Sequence, residues 1–470
     1  MLMFAIALLV GSPEEIVQRM SLEEKVGQLF VVPACPERGD DHLHDLRVLI
    51  EKYHIGGIIL KQGTQESYRD LYEKLKAPEL LHCGDAEWGV SMRMRDGVKY
   101  PRNLTLGAIQ DLSLLEEFGR QVGRECRQVG LHLNFAPVAD VNTNPKNPII
   151  GTRSFGEEPS EVAKRSIIVI QAMQEEGVAA TVKHYPGHGA TSKDSHVELP
   201  IIEEMELLPF QEAITHQVDC IMTAHLLYQP THEVVTFSRD IIEKKLRGEF
   251  GFEGLIITDG LNMKAINQTG DTALKALQAG HDLLLYGDHI SDEVDRLLRT
   301  LIPQAIESIK ESVDRTALDA HVIRIIRAKQ KLIREIPEAS PLQSPEALAL
   351  KKKLYQQAMT VVSSAHIPLS EDFQLVQFGP PSEHLTQLLH PSTQGLKVAA
   401  IYDMNEAAKE YLQKEKPEVV LLFTSPYKLL EMELAPTTIV AYERDSDAEE
   451  AVVEILFGRQ KAVGCLPIKL

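Results

Sequence analysis

Cysteine is sparse in this chain of 470 residues: five are scattered along it, Cys35, Cys83, Cys126, Cys220 and Cys465. The number is odd and no CxxC spacing occurs, which argues against a zinc or redox pair and makes free buried thiols the expectation. Basic residues are also in deficit. Lys and Arg total 49 against 68 for Asp and Glu, a formal charge of −19 that opposes a protein gripping nucleic-acid phosphates. Only one tryptophan, Trp88, is present. The apolar start, MLMFAIALLV, is too short to span a bilayer, so no integral membrane association is expected. It resembles the apolar core of a secretory signal but lacks the preceding Lys or Arg. Residues 1–19 are read as a leader. Cytoplasm is the preferred location, and periplasm or secretion follows if the leader is a truncated signal peptide. With 44% hydrophobic and 25% charged residues, the rest has the composition of a globular protein.

Ser21 and Glu24 form a possible capping box. Eight apolar, β-rich runs then follow: VGQLFVVPA, IGGIILK, LLHCGDAE, LHLNFAPVADV, AATVKHYPG, CIMTAHLL, LIITDGL and HDLLLYGD. Between them lie helical patterns such as SLLEEFGRQVGRECRQVG and EVAKRSIIVIQAMQEEG, with apolar residues three and four apart. Eight such alternations argue for a (β/α)8 barrel, although a doubly wound open sheet would read the same locally. Closure is favoured by polar residues. Asp85, Asp140, His184, His225 and Asp259 each follow an apolar run, where a barrel collects its active site. A helical stretch over 313–335 leads to prolines at 337, 341 and 345, which mark a linker over 337–346. The barrel is therefore assigned to 20–336 and a smaller three-layer α/β sandwich to 347–470. No catalytic cluster stands out in the second domain.

The densest chemistry is VKHYPGHGATSKDSHVELP, with three histidines, two lysines and an aspartate on a glycine-bearing loop. Gly187 and Gly189 would let that loop move, and Asp194 stands two residues before His196, so carboxylate and imidazole can pair as a general acid. A solvated His-rich loop is the bland alternative. Asp259, directly after LIIT, points into the barrel mouth unless it merely caps a helix. Asp85, Trp88 and Arg93 form a third group suited to sugar, since carboxylate and guanidinium bind hydroxyls and the indole stacks on a ring. An ordinary salt bridge beside a core aromatic competes with that reading.

KHYPGHGATSKDSHVELP resembles the K-H-(F/Y)-P-G-H-G-x4-D-S-H signature of glycoside hydrolase family 3, in its bacterial β-N-acetylglucosaminidase branch. MSLEEKVGQLF, NFAPVADVN, GTRSFG, IMTAHL, TDGLNM and the closing ILFGRQKAVGCLPIKL are similar to family segments in family order. The resemblance implies the two-domain form of the fold. It also implies Asp259 as nucleophile, His196 as general acid/base and Asp194 as the carboxylate that orients it. Asp85, Arg93, Arg153, Lys183 and His184 fall where the family binds sugar hydroxyls, with Met222 and Ser154 lining the same pocket. Gly260 departs from the second Asp, Ala or Ser of many relatives, which could widen the local turn. The N-terminus and second domain depart from the compact cytosolic members.

The expected activity is that of a retaining exo-β-N-acetylglucosaminidase, acting on peptidoglycan-derived glycans or muropeptides through a glycosyl-aspartate and needing no cofactor. Alternatives are a phosphorylase or β-glucosidase of the same family. A metal-dependent barrel hydrolase using His184, His188, His196 and His225 is a rival from another class, against which stands the lack of an HxH pair among these four. A sugar-binding protein without turnover is the non-enzyme rival. Oligomeric state is not legible.

Overall fold

The computed structural model describes residues 11–193, 198–266, 271–287 and 291–470. Each of the eight apolar runs contributes a buried strand: β1 (Phe30–Ala34), β2 (Gly57–Leu60), β3 (Leu81–Gly84), β4 (Leu133–Asn134), β5 (Ala179–Tyr185), β6 (Cys220–Thr223), β7 (Leu255–Thr258) and β8 (Leu284–Leu285). They are parallel, in the order β7-β6-β5-β4-β3-β2-β1-β8. A bridge between Ile257 and Leu283 joins the two ends and closes the barrel. Closure distinguishes it from the open doubly wound sheet.

The strands are shorter than the runs that announced them. Of VGQLF, Val26 and Gly27 close the helix Leu22–Gly27, Gln28 and Leu29 form a turn and only Phe30 enters β1; Ser21 and Glu24 form the expected capping box of that helix. Most of LHLNFAPVADV beyond β4 is a loop that carries Asp140. The helices follow their periodicity more closely. In Ser113–Gln128 the buried residues Leu115, Phe118, Val122 and Cys126 share one face, and Gly119 and Gly123 let the helix approach Pro159–Glu175 closely. The long charged stretch forms the helix Arg315–Leu332. At the other end of the barrel chain, Pro13–Arg19 is a helix that buries Ile16 and Val17 and packs on Arg315–Leu332. Residues 1–10 lie outside the described residues. Among the described residues, no helix is long and apolar enough to cross a membrane. No disulfide joins the five cysteines, of which four are buried and Cys465 is exposed.

The second sheet comprises β9 (Thr360–Ser364), β10 (Phe373–Phe378), β11 (Leu396–Ile401), β12 (Val419–Leu422) and β13 (Thr437–Val440), in the order β9-β13-β12-β11-β10. All neighbours are parallel except β9, which runs antiparallel to β13. β9 stands at the edge of this sheet, where TVVSS is only half-buried. This half holds the barrel at several points. Tyr427 Oη accepts from Asn142 Nδ2 at 2.7 Å, and the backbone amides of Cys465 and Glu157 donate to Ala108 and Pro467 carbonyls at 2.9 and 3.1 Å.

Asp282 ties the barrel where it closes. Fully buried before β8, it accepts from the Ile256 amide at 2.8 Å and from Arg324 Nε at 2.8 Å, lies 2.8 Å from His321 Nδ1, and pairs with Arg247. Burial works to raise its pKa, but Arg247, His321 and Arg324 outweigh it and hold the carboxyl well below the ordinary range. Breaking such a buried network leaves uncompensated charge, so Asp282→Ala should cost about 3–5 kcal/mol in urea unfolding. The native pKa lies below the unfolded one. This stabilisation is therefore complete above the ordinary Asp value of about 3.9 and is lost only as pH falls toward the depressed value.

Candidate active site

A cavity of about 920 Å³ lies where the carboxyl ends of the barrel strands converge. Asp85 follows β3, Lys183 and His184 stand on β5, Met222 on β6 and Asp259 after β7, and all five line it. The register of β5 against β6 shifts between Lys183 and Tyr185, and the consecutive side chains of Lys183 and His184 both line this cavity. Arg93 and Arg153 line it as well, brought in by the segments after β3 and β4.

Charge pairing organises the floor. Lys183 Nζ lies 3.1 Å from Asp85 Oδ1 and 2.8 Å from Glu87 Oε1. Arg153 binds Glu87 through two contacts of 2.9 and 2.7 Å, and Arg93 binds Asp85 at 2.5 Å. The side chains of Glu87 and Lys183 are 2% and 3% exposed, so neither charge has water to solvate it. Burial pushes both carboxyls up. For Asp85 the charges of Lys183, Arg93 and Lys61 prevail, and for Glu87 those of Arg153 and Lys183, leaving both well below the ordinary carboxylate range. The Asp85–Arg93 salt bridge is therefore not set apart from the cavity, since the pair itself lines it. Trp88 lines the cavity too, with the Arg102 guanidinium 4.9 Å over its ring.

His184 is held from behind. Its Nδ1 lies 2.6 Å from Asp140 Oδ2, while Asp140 Oδ1 accepts from the backbone amides of His184 and His188 at 3.2 and 2.7 Å. Burial raises the Asp140 carboxyl, but the two histidines overcome it and the net shift is downward. With Asp140 as acceptor, Nδ1 carries the proton and Nε2, 3.5 Å from Arg153, is oriented at the cavity.

Asp259 is fixed through its own backbone. Its amide donates to the Thr223 carbonyl at 3.1 Å, and its Oδ1 accepts from the Gly260 amide at 2.7 Å. His225 Nε2 donates to the Gly260 carbonyl at 3.1 Å, which supports the turn. No helix of the described residues begins at Asp259, so the helix-cap reading fails. A Cβ on Gly260 would meet nothing closer than 3.5 Å, so an alanine or serine fits there and the glycine does not widen the turn.

Two expectations are corrected. Ser154 does not line the cavity: it is fully buried, and its hydroxyl is bonded to the Asp140 and Gly156 carbonyls. Gly189 is not a hinge, because a Cβ there would stand 1.8 Å from the Val141 carbonyl oxygen. It is a point of close packing, and His188 and Gly189 are tied by their carbonyls to Asn147 Nδ2 at 2.9 and 3.1 Å. Gly187, at φ 112°, does need the freedom of glycine. Asp194 and His196 lie outside the described residues.

Glu87 was missed by sequence reasoning, and His188 entered it only as a ligand of the metal-dependent alternative. Glu87 stands two residues after Asp85, and Asp140 was noted only for its place after a strand. His188 lines the cavity with its Nδ1 2.8 Å from Thr191 Oγ1, and burial pushes its pKa down. Among the described residues no group of three or more His, Cys, Asp or Glu is arranged to hold a metal ion. His184 and His225, offered as ligands in the metallohydrolase alternative, are engaged with Asp140 and with Thr236 and Gly260.

Residues 21–328 match the glycosyl hydrolase family 3 N terminal domain. The chain belongs to glycosyl hydrolase family 3. It is 32% identical over 320 residues to a β-hexosaminidase of Nitrosomonas eutropha, spanning 63% of this chain and 91% of that one. To β-hexosaminidase A of Pseudoalteromonas piscicida it is 29% identical over 384 residues, 72% of this chain and 64% of that protein's length. A solved structure of a family 3 β-N-acetylglucosaminidase from a Paenibacillus species superposes with a TM-score of 0.78 at 27% identity, covering 96% of this chain and 99% of that one. The family match ends within the helix Arg315–Leu332, while the structural likeness extends through the α/β sandwich.

In this family member, Glu87→Gln should lower unfolding free energy by about 3–5 kcal/mol, because it leaves Lys183 and Arg153 short of a buried counter-charge. Glu87 has its native pKa below its unfolded one, so the gap between wild type and variant should be constant above about pH 5 and narrow only in stronger acid. Chemical unfolding at a series of pH values checks both.

Proposed function

We propose that the chain is a retaining exo-β-N-acetylglucosaminidase that releases terminal N-acetylglucosamine from peptidoglycan-derived glycans, with residues 20–336 as its catalytic domain. The observation that carries this reading is that Asp259 lines one cavity with the paired charges of Asp85, Arg93, Lys183 and Glu87 and with His184. The β-hexosaminidase relatives and the β-N-acetylglucosaminidase neighbour support the choice of sugar. Fixed carboxylates and cations suit the hydroxyls of one terminal sugar, as an exo-acting enzyme needs.

In the first step an Asp259 carboxylate oxygen attacks the anomeric carbon as the bond to the leaving oxygen breaks, and His196, oriented by Asp194, donates its proton to that oxygen. In the second, water adds to the anomeric carbon, gives a proton to His196 and releases Asp259. Asp85, Arg93, Lys183, His184 and Arg153 bind and orient the sugar, and Met222 supplies an apolar wall. Asp140 acts through His184 by holding its ring.

Side-by-side assay on a β-N-acetylglucosaminide and the matching β-glucoside tests the sugar, with the former strongly preferred. A clear preference for the glucoside would replace the reading. Trapping with a fluorinated substrate analogue should label Asp259, and a label on another residue would defeat its role as nucleophile. A neutral imidazole would not repel an anionic acceptor, so added phosphate tests phosphorolysis directly: formation of a sugar 1-phosphate would make the chain a phosphorylase.

His196→Ala should slow a natural disaccharide far more than an activated aryl glycoside, since only the former needs a proton in the first step. Equal losses on both substrates would make His196 a binding residue. Activity should survive exhaustive dialysis against a chelator.

A further inference from the structure

A second crevice, of about 300 Å³, opens between the barrel and the sandwich. Lys99, Arg102 and Thr152 line it from the barrel, and Tyr402, Ser425 and Arg444 from the sandwich. Three cations there face a single carboxylate, Glu443, in a chain whose formal charge is −19. That carboxylate is already engaged. Glu443 Oε1 accepts from the Arg102 amide at 2.9 Å and from Thr105 Oγ1 at 2.8 Å, with Lys99 Nζ 4.0 Å from its other oxygen. Burial pushes the Glu443 carboxyl up, toward its neutral form, which weakens it further as a counter-charge.

Neither arginine has a carboxylate within ion-pair distance among the described residues. The Arg102 guanidinium lies over Trp88 and donates to Thr152 Oγ1 at 3.1 Å. The Arg444 guanidinium lies 5.1 Å over the Tyr402 ring and donates to the Pro381 carbonyl at 3.2 Å. Each fork has five N–H donors, so most of their capacity is left for a ligand. The aromatic ring beneath each guanidinium holds its plane without neutralising its charge.

The crevice adjoins the catalytic cavity. Arg102, which lines the crevice, covers the indole of Trp88, which lines the cavity, and crevice-lining Thr152 directly precedes cavity-lining Arg153. A substrate whose terminal sugar fills the cavity therefore has the crevice beside the path of its remaining part. We propose that this crevice binds carboxylates carried by the aglycone, with Arg102 and Arg444, one from each half of the chain, as the residues that recognise them. The ligand class is an acidic aglycone: a sugar acid such as N-acetylmuramic acid, or a peptide attached to it. Forked guanidinium–carboxylate contacts give the geometric selectivity. The inference rests on the β-N-acetylglucosaminidase reading above.

The test compares kcat/KM of the full chain on three disaccharides: N,N′-diacetylchitobiose, the N-acetylglucosaminyl-N-acetylmuramic acid disaccharide, and the latter with its stem peptide. Wild type should favour an acidic substrate over the neutral one by about tenfold or more, mostly through KM, and added salt should shrink the preference. Arg444→Gln and Arg102→Gln should each bring the ratio toward one, and Arg444→Lys, which keeps the charge but loses the fork, should fall between. A preference already present without the peptide assigns the sugar acid as the source, and one that needs the peptide assigns the peptide. A wild-type ratio near one, or a preference untouched by the arginine variants, overturns the proposal while leaving the glycosidase reading intact. Failure to cleave any of the three substrates or an aryl β-N-acetylglucosaminide overturns both.

Discussion

The Lys183 and Glu87 side chains are almost wholly buried, and the architecture of the cavity follows from the need to balance charge there. A buried carboxylate without a partner would take up a proton, and a buried ammonium would lose one. Glu87 and Asp85 are not left in that position, because Lys183 bridges them and Arg153 and Arg93 close the two ends. The network has contributors from three strands' ends, so it also fixes the mutual position of loops that the barrel alone would leave loosely related. A pre-assembled set of charges has little reorganisation left to do when a sugar enters.

Behind that set stands a second tier of buried polar groups. Asp140 aims His184, and His225 supports the Gly260 carbonyl next to Asp259. Asn142 links the tier to the sandwich, accepting from the Gly151 amide at 3.1 Å and donating to Tyr427. The second domain therefore braces the segment that carries Arg153, despite contributing no residue to the lining of the main cavity. Its contact with the barrel also forms the arginine-lined crevice, so the same junction serves both rigidity and the proposed reading of the aglycone.

The path from sequence to site was short wherever function depends on local pattern. The eight apolar runs announced eight strands, and the residues just after them, Asp85 and Asp259, reached the cavity as barrel geometry requires. Boundaries were poorer, since apolar residues extend beyond the ladder bonds, before β1 in VGQLF and after β4 in LHLNFAPVADV. The glycines of the PGHG segment divided between two physical roles that look identical in sequence. Gly187 adopts a positive φ, and Gly189 admits a carbonyl from a neighbouring loop. Ser154 illustrates the opposite hazard: it neighbours Arg153 in a site segment, yet its hydroxyl is spent on backbone carbonyls.

By itself, the sequence determined the alternation of strand and helix, the order of the two domains, the family signature and the residue types at the barrel mouth, because each depends on neighbours along the chain or on spacing within one segment. Tertiary structure alone decided that the sheet closes, that Glu87 joins Lys183, 96 positions further along the chain, that Asp140 rather than a nearer acid holds His184, and that Tyr427 of the sandwich bonds Asn142 of the barrel. The reason is common to all four. Each pairs groups from distant segments, and burial, which makes such pairing obligatory, exists only once the chain has folded around them.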